Sequence, residues 1–241
     1  MSLEIVQVAL LVDNYAYLLR EPVSGLVAIL DPSVADKPLI EAESRGWAIT
    51  HVLNTHHHWD HTGGNLGIKA ATGAKIVGPA YEKARIPGID IPVSEEAPFN
   101  FGETSAEILF VPGHTRGQIS FWFKEEAAVF VGDTLFGMGC GRLFEGTPQM
   151  MFESMQKLKK LPGDTKVYCG HEYTEANGEF ALTVDPDNPA LHARLADVRA
   201  LRAEGKPTVP FFISEEKTTN PFFLAKDVAT FAEVRAKKDK F

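Results

Sequence analysis

Cysteine is scarce in this chain: Cys140 and Cys169 are the only two among 241 residues. A disulfide scaffold is not expected from so few, and a reducing cytoplasm is the simplest setting. No run of about 18 apolar residues occurs, which speaks against a membrane span. The N-terminal stretch MSLEIVQVALLVDNYAYLL has no basic leader and is interrupted by Glu4, Asp13 and Asn14. It reads as a pair of strands and not as a signal peptide. Basic residues are outnumbered, 24 against 32 acidic, leaving a net charge of -8. That balance disfavours nucleic acid as a partner, because phosphate binding wants a basic face. Internal repeats and low-complexity tracts are also missing.

What is present is the mix of a soluble globular protein, 44% hydrophobic and 23% charged, enough for a sizeable core without staples. Up to about residue 172 the apolar runs are short and rich in Val, Ile, Leu and Phe. They cover residues 5–12, 15–19, 26–31, 48–55, 74–79, 106–113, 119–123, 127–133 and 166–171, and Gly, Pro, Asp and Asn punctuate them. Helical patterns lie at 34–46 and 148–164, the second with Met151, Met155 and Leu158 on one face as a core stripe. A mixed α/β body follows. After residue 172 the texture turns to helical periodicity with long charged side chains, broken at Pro186 and Pro189, and a last helix with a basic end over 227–241. The expected boundary therefore separates residues 1–172 from a smaller helical domain, 173–241.

Residues 54–65 read N-T-H-H-H-W-D-H-T-G-G-N, so His56, His57, His58 and His61 place four of the chain's eight histidines beside Asp60. The stretch follows a buried strand, and Gly63-Gly64 supplies backbone freedom for a tight loop. In an extended segment His56 and His58 point one way and His57 the other. Asp60 and His61 come one turn later and face a second point. Imidazole and carboxylate donors suit zinc, iron(II) and manganese. Three further strand runs end in candidate ligands, at His114, Asp133 and His171, each preceded by Gly. Strand ends converging on one sheet edge bring distant residues together. His51, His57 and His192 are read as structural or exposed, and both cysteines as packing residues. No G-x-S-x-G elbow is present.

The motifs T-H-H-H-W-D-H, P-G-H-T, G-D-T-L-F and G-H-E-Y-T, in this order, resemble the metallo-β-lactamase superfamily. More narrowly, G-C-G-R-L-F-E-G (139–146), G-H-E-Y-T (170–174), N-P-F (220–222) and V-R-A-K-K-D-K-F (234–241) look like glyoxalase II, the hydroxyacylglutathione hydrolases. The resemblance implies an αββα sandwich of two mixed sheets (residues 1–172, catalytic) with a helical C-terminal substrate-binding domain (173–241). It implies two divalent metal ions, zinc first, with iron or manganese also suited. His56, His58 and His114 would hold one, Asp60, His61 and His171 the other, and Asp133 would bridge them as the catalytic carboxylate. The implied reaction is hydrolysis of S-D-lactoylglutathione to glutathione and D-lactate, the second step of methylglyoxal detoxification. A persulfide dioxygenase, a lactonase or a broad thioesterase is the alternative on the same motif, and a non-enzymatic metal module stands behind them. Arg142, Phe144, Tyr173, Arg235 and Lys238 would meet the glutathione portion, with Arg116 a weaker anion contact. Two positions depart from the common pattern: Phe144 stands where many members have Tyr, and N-P-F, often followed by Arg, runs on here as Phe223-Leu224-Ala225-Lys226. A cytoplasmic monomer is expected, with neither nucleic acid nor membrane as partner.

Overall fold

The computed structural model describes residues 2–241. By packing, the chain divides into two compact units: the chain up to Phe110 with Gly117–Gly132, and Val111–Arg116 with Asp133–Phe241. The second unit thus takes in more than the segment after residue 172.

The first unit begins with strands β1 (Glu4–Leu10), β2 (Asn14–Arg20) and β3 (Val27–Leu30), then helix α1 (Asp36–Ser44) and β4 (His51–Leu53). Helices α2 (Trp59–Thr62) and α3 (Asn65–Thr72) follow, then β5 (Lys75–Pro79), β6 (Ile91–Val93), β7 (Phe99–Phe101), β8 (Thr104–Phe110), β9 (Ile119–Phe123) and β10 (Ala128–Gly132). The N-terminal strand pair expected from the sequence is present: β1 and β2 are antiparallel, from Glu4 opposite Arg20 to Leu10 opposite Asn14. One sheet has the order β1-β2-β3-β4-β5-β6. Its β2–β3 pair is antiparallel, and β3 to β6 run parallel. It is a mixed sheet, and its inner parallel strands β3 to β5 fall in the apolar runs, because such strands are covered on both faces, while the edge strand β6 is partly exposed. Val52, Leu53, Ile76, Val77 and Ile29 have no exposed surface. Strands β7 to β10 form an antiparallel series in the order β10-β9-β8-β7.

The parallel register positions the histidine stretch. Leu30 pairs with Leu53, so the chain leaves β3 and β4 at the same sheet edge. Asp31 therefore follows one strand where Asn54 and Thr55 follow the other. In parallel sheets this carboxyl-terminal edge is where binding residues gather. Gly63 and Gly64 do not need glycine's φ freedom there, since their φ values are -60° and -80°. They need its small size: a Cβ would stand 2.4 Å from Ser33 O and 2.6 Å from Val34 O, respectively.

Glu21 ties the turn after β2 to the chain before β8. Its carboxylate accepts N–H groups from Val23 and Ser24 at 2.7 Å and from Glu103 at 3.4 Å. The Ser24 side-chain bond, followed by these backbone bonds against the cost of burial, holds its carboxyl down from 4.5 to about 2. A depressed pKa means that the folded state binds the proton less well than the unfolded chain. Its stability contribution is complete above pH 4.5 and is lost as the pH falls toward about 2. The urea midpoint should fall over that window, and Glu21→Gln should flatten the fall. An identical acid limb in both proteins would remove Glu21 from the explanation.

The second unit carries strands β11 (Leu135–Phe136) and β12 (Gly139–Cys140), helix α4 (Pro148–Lys159) and strand β13 (Lys166–Cys169). Helices α5 (Thr174–Val184) and α6 (Pro189–Ala203), strand β14 (Phe211–Phe212), and helices α7 (Ile213–Thr219), α8 (Pro221–Leu224) and α9 (Val228–Lys238) complete it. Met151, Met155 and Leu158 of α4 have no exposed surface, as the core stripe requires. Pro189 opens α6 at its first turn, where a missing N–H costs nothing, with the Asn188 side chain capping Ala190 and Leu191. Asp227 caps α9 at Thr230. Among the described residues, no helix is long and apolar enough to cross a membrane.

Candidate metal centre

The first unit brings four of the seven candidate ligands to the end of β4. His56 Nε2 and His58 Nδ1 face each other at 3.1 Å, and His61 Nε2 lies 3.7 Å from Asp60 Oδ2. In the second unit, Asp133 Oδ2 stands 3.4 Å from both His114 Nε2 and His171 Nε2. Ligand atoms at 2.0–2.1 Å around one tetrahedral cation stand about 3.3 Å apart. These spacings are therefore those of donors converging on cations. All seven except His58 and Asp60 are buried.

The far sides of two of the rings, His61 and His114, support the same reading. A ligating histidine usually gives its other N–H to a carboxylate or carbonyl, which fixes the tautomer. His114 Nδ1 meets Arg142 O at 2.8 Å. His61 Nδ1 meets Asp31 Oδ2 at 3.2 Å. Both arrangements turn the Nε2 lone pair inward. Asp60 is held from behind by Asn14 Nδ2, which donates to its Oδ2 at 3.1 Å. The residues thus fit a divalent metal in donor type, spacing and outer support.

Sequence reasoning missed Asp31 and Glu82. Asp31 accepts the Thr55 N–H (2.8 Å), the Thr55 hydroxyl (2.6 Å) and the His61 ring. Glu82 accepts the His57 N–H at 2.9 Å, faces His57 Nδ1 at 2.7 Å and accepts the Gly117 N–H at 2.9 Å. His57 is thus an anchor for the ligand loop, held on Glu82 with its ring edge-on to His58 at 4.8 Å. His51 packs its ring on Phe99 and Phe101. His192 Nε2 meets Pro186 O at 2.6 Å. The one available signal for Asp31 was its place at the end of an apolar run. Glu82 offered none.

Tyr173 lies parallel to His171, centroids 4.8 Å apart at 4°. Phe144, 61% exposed, sets its edge against His114 at 5.2 Å. The Arg142 side chain is 61% exposed. Lys238 donates to Ala176 O and lies over Phe180 and Phe241, and burial pushes its pKa down. Arg235 is buried: it donates to Cys140 O at 2.9 Å, pairs with Asp239 at 2.9 Å and covers the Phe222 ring. Arg116 donates its Nε to Glu145 O. Burial pushes the Cys140 thiol up to about 11 and the Cys169 thiol well above its ordinary value. Buried thiols of that kind are packing groups.

A model of the metallo-β-lactamase superfamily matches residues 11–171, and one of the hydroxyacylglutathione hydrolase C-terminus matches residues 172–241. The solved ETHE1 structure from Myxococcus xanthus is similar over 97% of this chain and 90% of that one, with TM-score 0.74 and 25% identity. TTHA1623 in a di-iron-bound form is similar over 91% of this chain and 99% of that one, with TM-score 0.64 and 25% identity. The class is thereby defined: this is a metallo-β-lactamase-fold protein, with the expected mixed-sheet architecture and a C-terminal helical region. A relative from Methylococcus capsulatus, hydroxyacylglutathione hydrolase, is 51% identical over 99% of this chain and 99% of its own length. The chain belongs to the hydroxyacylglutathione hydrolase family.

Proposed function

We propose that this chain hydrolyses the thioester bond of S-D-lactoylglutathione, adding one water to give D-lactate and glutathione. We assign His56, His58 and His114 to one divalent metal ion, Asp60, His61 and His171 to a second, and Asp133, which faces His114 and His171, to both. Zinc is the first choice, and iron or manganese would suit the same donors. The observation that carries the reading is the Asp133 carboxylate, one oxygen of which stands 3.4 Å from two different histidine rings. Bound there, two cations would lower the pKa of a shared water to about 7 and polarise the thioester carbonyl.

The chain's own residues do the rest. Asp31 and the Arg142 carbonyl keep His61 and His114 in the tautomers that present Nε2. The exposed ring of Phe144 and the half-exposed ring of Tyr173 offer apolar faces to the thiol portion beside the reacting centre. Phe144 lacks a hydroxyl, so it contributes surface and no hydrogen bond. The Arg142 guanidinium and the Lys238 ammonium supply positive charge for glutathione's carboxylates, a bidentate match in the arginine's case. Arg235 serves by fixing α9, and with it Lys238. The thiol leaves as a thiolate, which needs no general acid.

Full-length relatives at about half identity carry the hydrolase name, which weighs against the dioxygenase, lactonase and broad thioesterase alternatives. The setting we propose is a cytoplasmic monomer, with residues 1–172 as the catalytic part and 173–241 as the substrate-binding part. The test is loss of thioester absorbance from S-D-lactoylglutathione. Activity should vanish with chelator and return with zinc. Fully metallated protein without hydrolysis would sink the reading and redirect the search to persulfides and lactones.

A further inference from the structure

The N-P-F motif has no part in the chemistry above, yet the fold joins it to the G-C-G-R-L-F segment that carries Arg142 and Phe144. Strands β11 and β12 form a small hairpin. Asp133 and Thr134 enter it, and Gly141 and Arg142 leave it. The stem is tight: Gly141 N donates to Thr134 O at 3.1 Å, and a Cβ on Gly141 would stand 1.9 Å from Asp133 O. The exit carbonyl, on Arg142, is the one that holds His114. Phe136 of β11 packs its ring 6.0 Å from His171 and 5.1 Å from Tyr173. The hairpin thus touches every candidate ligand of the second unit.

Its tip is clamped from α7. Met138 sits in the left-handed region at φ 56°, which a non-glycine residue holds only when its surroundings impose it. Glu216, with no exposed surface, accepts the Met138 N–H at 2.9 Å. Asn220 of N-P-F donates to Gly139 O at 3.0 Å and to the Glu216 carboxylate at 2.7 Å. Asn177 donates to Gly137 O at 3.2 Å. Arg194 pairs with the other Glu216 oxygen at 2.5 Å. A buried ion pair is weak support for stability alone, since apolar residues of similar volume often do as well. An apolar residue could not take the Met138 N–H, however, and that bond sets the tip.

We propose that Glu216 is a positioning residue for the metal centre, acting through the Met138 N–H and the β11–β12 hairpin on Asp133 and His114. This rests on the metal assignment proposed above. Zinc affinity, measured against a chromophoric chelator, needs no substrate and is the main readout. Glu216→Ala should weaken zinc binding about 10–100-fold and lower kcat in the same range, as loss of an outer support does. KM should move less than about twofold, because no substrate contact is removed. Glu216→Gln should recover part of both, since its carboxamide oxygen still accepts the Met138 and Asn220 N–H groups, while its NH2 is left facing the Arg194 guanidinium, a loss that the urea midpoint reads. If Glu216→Ala does not fold by urea titration, Asn220→Ala decides with the same readouts and the same expected direction. Folded variants that bind zinc as tightly as the wild type and keep its kcat overturn the proposal. A wild-type protein that holds no zinc overturns the metal assignment beneath it, and so is told apart.

Discussion

Asp133→Ala should lower kcat/KM for S-D-lactoylglutathione by about 1,000-fold or more, or ~4 kcal/mol of transition-state stabilisation. The size follows from position. One oxygen of Asp133 lies 3.4 Å from His114 Nε2 and 3.4 Å from His171 Nε2, rings we assign to different metals. On that assignment its removal would take a ligand from both metals. Bound zinc should fall below two per chain, which metal analysis after dialysis reads directly. A variant that keeps two zinc ions and activity within about tenfold of wild type would show that Asp133 does not bridge.

Asp31→Asn should give the second largest loss, about 10–100-fold in metal affinity, without a contact to metal or substrate. The carboxylate uses Oδ1 for the Thr55 N–H and Oδ2 for the Thr55 hydroxyl and the His61 Nδ1–H. An amide cannot replace this acceptor set. Its NH2 group would face either the Thr55 N–H, donor against donor, or His61. Facing His61, it would demand the Nδ1 lone pair and drive the proton to Nε2, the atom needed for metal. The same amide leaves a buried donor poorly satisfied, a cost of about 1–3 kcal/mol. Zinc titration and the urea midpoint should therefore fall together in Asp31→Asn. Unchanged zinc affinity would mean that His61 does not depend on Asp31 for its tautomer.

The contrast between Asp133 and Asp31 shows what the sequence could reveal. Asp133, His114 and His171 each follow a Gly at the end of an apolar run, and the chemistry of their side chains marks them. Asp31 also ends such a run, but its importance comes from parallel register: Leu30 beside Leu53 sets Asp31 beside Thr55. Register is a property of two strands and is not written in either. Glu82 is less legible still, because it reaches His57 from a short turn after β5. Arg235 shows the opposite failure. The resemblance implies that it meets the glutathione portion, while its guanidinium is buried against Cys140 O. The long strands and α4 follow from hydrophobic periodicity. Strands of two or three residues, such as β7, β11 and β12, are too short to show a period, and α3 was likewise missed in NLGIKAAT. Gly63 and Gly64 were legible as required, but for the wrong reason: close approach of the 32–34 backbone demands them, not φ.

The most direct test of the central claim is a crystal structure of zinc-loaded protein with anomalous diffraction recorded at the zinc edge. The account predicts two peaks, one bounded by His56, His58, His114 and Asp133, the other by Asp60, His61, His171 and Asp133. A single peak, or a pair that leaves Asp133 in contact with neither, would contradict it.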